Sequence, residues 1–195
     1  IVVASCLASE ISFATMLDTI RALCMDPDIN LDKKVYHSEM SHISRNRAIA
    51  YLLESKGYIE KNKDVENSLH FYVKMCSLSV TADSLAGLGL ILANAGIHPD
   101  TGKRLLSSQA VKIVKTLMFT CGMYDGSGEF AVRVGIPSKS GVGGGILSVV
   151  DGEMGIGIFG PALDKKGNSV AGECVLEYMS HELHLHMFDP QRHTL

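Results

Sequence analysis

The chain predicts an α/β (α+β) fold in two stretches: a mainly helical region over 1–128, then a strand-strand-strand-helix unit over 129–195. In the second stretch a C-terminal helix covers an antiparallel sheet. Three observations carry this. Apolar side chains recur every three or four residues through most of the first stretch, the mark of a one-faced helix. After residue 129 the pattern changes to short β-rich runs broken by glycine. Between the last two runs stands Asp151-Gly152, a hairpin signal because both residues tolerate a turn's left-handed backbone.

Residues 2–24 read as one helix, with Phe13, Met16, Leu17, Ile20, Leu23 and Cys24 on its apolar face. Asp26-Pro27-Asp28 ends it, since a helix rarely continues into proline. Residues 29–43 have little periodicity and read as a loop with a short helix. A second clear helix spans about 45–56, with Ser44 as its cap, Ile49, Leu52 and Leu53 inward, and Gly57 permitting its stop. Residues 65–78 and 82–95 are helical. The latter holds Ala82, Ala86, Gly87, Gly89, Ala93 and Ala95, small groups that allow close contact at some propensity cost. Ser107 or Ser108 starts a further helix, facing inward through Val111, Val114 and Leu117 or through Ala110, Ile113 and Leu117. Strands follow at 130–136, 145–150 and 154–159. Asn168 caps a last helix to about His186, with Leu176, Met179, Leu183 and Met187 as its apolar stripe. Three strands are few for an open sheet under a helix, and Val2, Val3 and Leu7 place apolar groups at the very start. Together these predict that the N-terminal part of the domain is missing.

Composition narrows the function classes. Eighteen basic and twenty-one acidic side chains give a net charge of -3, which offers no electrostatic case for nucleic acid. No run reaches the 18 or so apolar residues of a membrane span. Five scattered cysteines fit a reducing compartment better than a disulfide scaffold. His181, His184 and His186 are dense but poorly spaced as one ligand set, so no metal is expected; with no dinucleotide fingerprint or cofactor-binding lysine motif, no organic cofactor is expected either.

The most informative stretch is Val134-Gly-Ile-Pro-Ser-Lys-Ser-Gly-Val-Gly-Gly-Gly-Ile146. It sets Lys139, Ser140 and Gly141 between apolar segments, where a cation, a hydroxyl and open backbone amides can hold a small anionic or amide substrate. Amides of Gly141 and Val142 suit a developing oxyanion, and Lys139 suits proton transfer if its pKa is lowered. The competing reading is a glycine-rich bend with Lys139 exposed. Glu39 and Asn46 suit the ammonium and carboxylate of an amino acid, or serve as a loop carboxylate and a helix cap. Tyr72 and Tyr124 carry phenols that can reach a polar pocket while their rings pack; ordinary core packing is the alternative. A Lys-Ser/Thr-Gly strand also belongs to serine hydrolases whose nucleophile sits in Ser-x-x-Lys. None of the twelve lysines here has Ser three positions earlier.

At these residues the sequence resembles the serine-dependent glutaminases, amidohydrolases of β-lactamase/DD-peptidase-like fold that include the animal kidney- and liver-type enzymes. The resemblance rests on Tyr36-His-Ser-Glu39, Ser44-Arg-Asn-Arg-Ala-Ile-Ala-Tyr-Leu-Leu53, Phe71-Tyr-Val-Lys-Met-Cys-Ser77 and Leu92-Ala-Asn-Ala-Gly96. It continues through Thr120-Cys-Gly-Met-Tyr-Asp125, Val134-Gly-Ile-Pro-Ser-Lys-Ser-Gly141 and Pro161-Ala-Leu-Asp-Lys-Lys-Gly-Asn-Ser-Val-Ala-Gly172. It implies hydrolysis of L-glutamine to L-glutamate and ammonia through a γ-glutamyl-serine intermediate, with no cofactor. It also implies substrate binding by Glu39, Asn46, Tyr72, Tyr124 and Val142. It further implies a proton-transfer role for Tyr124, proton transfer or substrate placement for Tyr72, and pocket support by Lys139, Ser140 and Gly141.

For animal members it implies mitochondrial residence and phosphate activation, with cytoplasmic residence otherwise. A homo-oligomer, dimer or tetramer, is implied as well, with the helix at 45–56 as its interface. On this reading the chain is the C-terminal two-thirds of an animal catalytic domain, with the Ser-x-x-Lys pair upstream of Ile1, and the isolated chain is inactive. The rivals are a β-lactamase or penicillin-binding serine hydrolase and a non-catalytic structural or regulatory fragment.

Overall fold

The structure, a computed structural model, describes residues 1–61 and 63–192. Two units divide the chain: the first takes Ile1–Ala22 and Pro27–Val80, the second Leu23–Asp26 and the described residues from Thr81 onward.

The first unit is built around helix α5 (Val65–Cys76), whose Asp64 side chain accepts the Asn67 amide and so starts it cleanly. Its Val65, Leu69 and Val73 bury against Ile43, Ala50 and Ile59. Around it lie α1 (Val2–Ala8), α2 (Phe13–Cys24), α3 (Lys33–Ser41) and α4 (Ser44–Ser55). Two-residue strands β1 (Asn30–Leu31) and β2 (Leu78–Ser79) pair antiparallel.

Several expectations change here. The single helix over 2–24 is two helices at 115°. The amides of Glu10 and Ile11 both turn back onto the Leu7 carbonyl, and the Ser12 hydroxyl accepts the Thr15 amide to begin α2 afresh. The first residues, expected to lack a packing partner, have one: residues 2–8 form α1, and Ile1 and Val2 pack against the α5 core. Those apolar groups therefore have a partner within the described chain, although Val3 is exposed. Ser44 lies inside α4 instead of capping it. Ala50 is the residue of α4 that is buried; Ile49, Tyr51 and Leu52 face outward.

The second unit is a three-layer arrangement. Strands β3 (Ser138–Ser140), β4 (Gly145–Val150) and β5 (Met154–Phe159) form an antiparallel sheet in that order. Ser140 lies opposite Ile146, and Val150 opposite Met154. The hairpin signal holds, with Gly152 at φ 76°, in a loop of Asp151, Gly152 and Glu153. Leu147 and Val149 face α6 (Ala82–Ala93) and α7 (Ser108–Cys121). Ile146 and Val150 face Leu176 of α9 (Val170–Glu182) together with Phe130 and Val134. The small residues of α6 do what their size suggests. A Cβ on Gly157 of β5 would stand 1.9 Å from the Ala82 carbonyl oxygen, so helix and strand touch backbone to backbone. On α7, Val111 and Met118 are buried while Ile113, Val114 and Leu117 are exposed, so neither expected face is complete.

The strand expected at 130–136 is helix α8 (Ser127–Arg133). Phe130 and Val134 fit one helical face as well as they fit alternation, and Val132 is 79% exposed. Arg133 fastens α8 by bonding Glu173 and Glu177 of α9 at 3.1 and 2.8 Å. Asn168 does not cap α9; the Ser169 hydroxyl accepts the Gly172 amide instead, and the helix ends at Glu182. Leu176 is 0% exposed at the centre of its stripe, whereas Leu183 faces solvent. Leu176→Ala is therefore expected to lower stability by roughly 3 kcal/mol through lost burial and a residual cavity, read as a shifted midpoint in denaturant. Among the described residues no single helix is long and apolar enough to cross a membrane.

Candidate active site

Tyr124, Lys139, Ser140, Gly141 and Val142 lie in the second unit, on two neighbouring segments. The first segment is the corner that leaves α7. Gly122 makes it possible, since a Cβ there would stand 1.8 Å from the Ser138 carbonyl oxygen. Tyr124 then adopts φ 52°, a left-handed backbone unusual for an aromatic residue. The Ser127 hydroxyl holds it, accepting the Met123 amide at 3.0 Å and donating to the Tyr124 carbonyl at 2.8 Å. The second segment is β3 and the turn beyond it. Lys139 points across the gap, its ammonium 4.6 Å from the centre of the Tyr124 ring, a cation–π contact. That ammonium also donates to the Ser140 carbonyl.

Lys139 is solvent-exposed as a whole residue, yet burial of its charged end lowers its pKa below the ordinary lysine value, with nearby Cys121 acting in the opposite direction. Its neutral form is thus favoured relative to a free lysine, as a proton acceptor requires. The sign for stability follows. Between the folded pKa and 10.5 the unfolded chain binds more protons, so stability rises with pH across that window. Lys139→Met should abolish that rise, checked by comparing denaturation midpoints of the two proteins at a series of alkaline pH values.

The two expected oxyanion donors separate. The Gly141 amide is consumed by the turn, donating to the Gly145 carbonyl at 2.9 Å. No acceptor among the described residues takes the Val142 amide, and Val142 is 69% exposed on the rim. Ser140 is buried and its hydroxyl donates to Asn168 Oδ1 at 2.5 Å, so it is a structural clamp and not a free nucleophile. Sequence reasoning missed Asn168. Two adjacent residues able to cap α9, Asn168 and Ser169, hid the fact that only the second is used for it.

Glu39, Asn46 and Tyr72 belong to the first unit, on α3, α4 and α5 respectively. Glu39 is exposed; Asn46 and Tyr72 are half-buried. Tyr72 packs against the α5 core and hydrogen-bonds Cys76. The protein around Cys76 pushes its thiol pKa up; the Tyr72 bond opposes this, and the Glu39 charge adds to it. Glu39 and Tyr72 thus share one neighbour. Among the described residues no group of three or more metal-ligating side chains comes together.

The family model for glutaminases matches residues 1–188. The chain is 52% identical over 173 residues to the glutaminase of Clostridium tetani, covering 89% of this chain and 56% of that protein. It is 53% identical to the glutaminase of Clostridioides difficile over a span of the same length, 55% of that protein. This chain therefore spans a little over half the length of these curated relatives. A solved Bacillus glutaminase superimposes with a TM-score of 0.89 at 37% identity, covering 96% of this chain and 64% of the other. A Bacillus subtilis glutaminase in covalent complex with 5-oxo-L-norleucine, formed by reaction with 6-diazo-5-oxo-L-norleucine, matches with the same TM-score and identity.

These findings correct three expectations. The relatives are bacterial, so the identification with animal kidney- and liver-type enzymes is overturned. The reading as the C-terminal two-thirds of an animal catalytic domain falls with it; the family model matches residues 1–188 of this chain. The inactivity expected of the isolated chain rested on that animal-fragment reading and falls with it; the Bacillus subtilis relative, 67% of whose chain is matched, itself reacts covalently with 6-diazo-5-oxo-L-norleucine. Agreement sustained over nearly the whole length, at about half identity with clostridial enzymes, makes this chain a member of the glutaminase family.

Proposed function

We propose that this chain serves the hydrolysis of L-glutamine to L-glutamate and ammonia in a serine-dependent, β-lactamase-like amidohydrolase. The observation that carries the reading is the Lys139 ammonium poised over the Tyr124 ring beside the uncommitted Val142 amide, in a chain whose relatives are glutaminases. A serine hydroxyl attacks the side-chain amide carbon as its proton passes to the Tyr124 phenolate, and the Val142 amide supports the oxygen that becomes negative. The carbon–nitrogen bond breaks as Tyr124 returns the proton to departing ammonia, and water then cleaves the γ-glutamyl ester. The attacking serine is assigned to no numbered residue: no lysine here follows serine at the required spacing, and the Ser140 hydroxyl is committed to Asn168. Within the first unit, Glu39 and Asn46 carry groups suited to the ammonium and carboxylate of an amino acid.

The test is release of glutamate and ammonia by the purified protein, with a stoichiometric mass increase after 6-diazo-5-oxo-L-norleucine. Turnover of a chromogenic β-lactam without turnover of glutamine would reverse the reading toward a penicillin-binding hydrolase. The exposed Ile49, Tyr51 and Leu52 of α4 support self-association through that helix, checked by light scattering of the wild type against Leu52→Glu. Bacterial kinship favours the cytoplasm over a mitochondrion, and it removes the animal-derived support for phosphate activation.

A further inference from the structure

Asn168 stands between the two segments that carry the reacting groups of the second unit. It is 0% exposed, on the loop before α9. Its Oδ1 accepts the Ser140 hydroxyl at 2.5 Å, and its Nδ2 donates to the Met123 carbonyl at 3.1 Å. The amide cannot be turned round, because that would set oxygen against oxygen at Met123. Its backbone is fixed as well: the Asn168 amide donates to Asp164 Oδ1, and the Asn168 carbonyl accepts the Asp164 amide, both at 2.8 Å. Gly167 takes the loop's left-handed turn at φ 96°, and the loop lies beside both segments: a Cβ there would be in ordinary contact, 3.5 Å from Val142 Cγ1 and 3.6 Å from Tyr124 Cε2. Met123 immediately precedes Tyr124, and Ser140 immediately follows Lys139.

We propose that Asn168 is the positioning residue for this site, setting the Tyr124 phenol against the Lys139–Val142 turn by holding Ser140 with one amide atom and Met123 with the other. It touches no reacting atom, and α9 does not need it, because Ser169 caps that helix. Its kinetic consequence rests on the glutamine-hydrolysis reading; its geometric consequence does not.

Asn168→Asp tests both. The carboxylate still accepts from Ser140, but its second oxygen faces the Met123 carbonyl with no proton to donate. Protonation restores a donor there. In the variant kcat should therefore fall on the order of 100-fold above the carboxyl's pKa, with KM nearly unchanged, and recover as pH falls. The wild type should gain nothing on the same descent. Asp164 and Lys166 of the same loop, Glu129 on α8, Glu173 on α9 and Lys139 on β3 titrate in both proteins, so the difference isolates the substituted position. The Tyr124 ring signal in a carbon-13 spectrum, assigned by its loss in Tyr124→Phe, should follow the same titration without any glutamine present.

Parallel pH profiles of kcat, or a Tyr124 signal indifferent to that titration, overturn the proposal. A wild type without glutamine turnover sinks the functional reading, while the ring signal still decides the positioning role. If Asn168→Asp does not fold, Ser140→Ala decides, since it cuts one of the two holds. A kcat loss of about tenfold at constant KM supports the proposal, and wild-type kinetics overturn it.

Discussion

On the proposed glutamine reading, Tyr124→Phe is expected to lower kcat by on the order of 100- to 10,000-fold, the span for removing a positioned proton-transfer group. The substitution is clean because of what surrounds the ring. Lys139 sits over its face, and a phenylalanine face attracts the cation too. The backbone at φ 52° is held by Ser127 through main-chain atoms that the change leaves in place. Stability should therefore move by less than about 1 kcal/mol, so the kinetic loss reports the hydroxyl and not a collapsed corner. Steady-state kinetics with a parallel thermal melt settle it. A variant retaining most of the wild-type kcat would remove Tyr124 from the chemistry.

Gly157→Val is the largest expected effect on the fold. Its first side-chain carbon would enter the Ala82 carbonyl at 1.9 Å, and neither atom belongs to a side chain that can swing away. The neighbouring positions allow no retreat: a Cβ on Gly155 would meet the Ala86 oxygen at 2.2 Å, and one on Gly89 would meet the Gly155 Cα at 2.7 Å. Helix α6 must lift from β5, which uncovers Leu147 and Val149. A loss of at least about 4 kcal/mol follows, beyond ordinary overpacking because backbone meets backbone. Denaturant titration measures it. A midpoint within experimental scatter of the wild type would mean that α6 does not approach β5 this closely.

Much of this architecture is legible in residue order, and the exceptions are instructive. Strands β4 and β5 with their hairpin, the glycine- and alanine-rich α6, and the stops near Pro27 and Gly57 all follow from local chemistry that nothing distant opposes. The misread segments are those where two periods coincide or a tertiary partner decides. Phe130, Val132 and Val134 satisfy alternation, but Arg133 reaching Glu173 and Glu177 selects a helix. Ile49 and Leu52 look like an inward face, yet Ala50 takes the buried position on α4. In the candidate site, residue types together with the family resemblance pointed to Tyr124, Lys139 and Val142. They could not distinguish the Gly141 amide, spent on Gly145, from the Val142 amide, which is not. Nor could they show Asn168 turned toward Ser140, because its partners lie 28 and 45 positions away.

The lysine stacked on Tyr124 also makes that residue an optical probe. An ammonium above an aromatic face perturbs its electronic transitions, and losing the proton removes the perturbation. Subtracting the near-ultraviolet spectrum of Lys139→Met from that of the parent, below the pH at which phenols ionise, therefore isolates the contribution of one charged amine without any label.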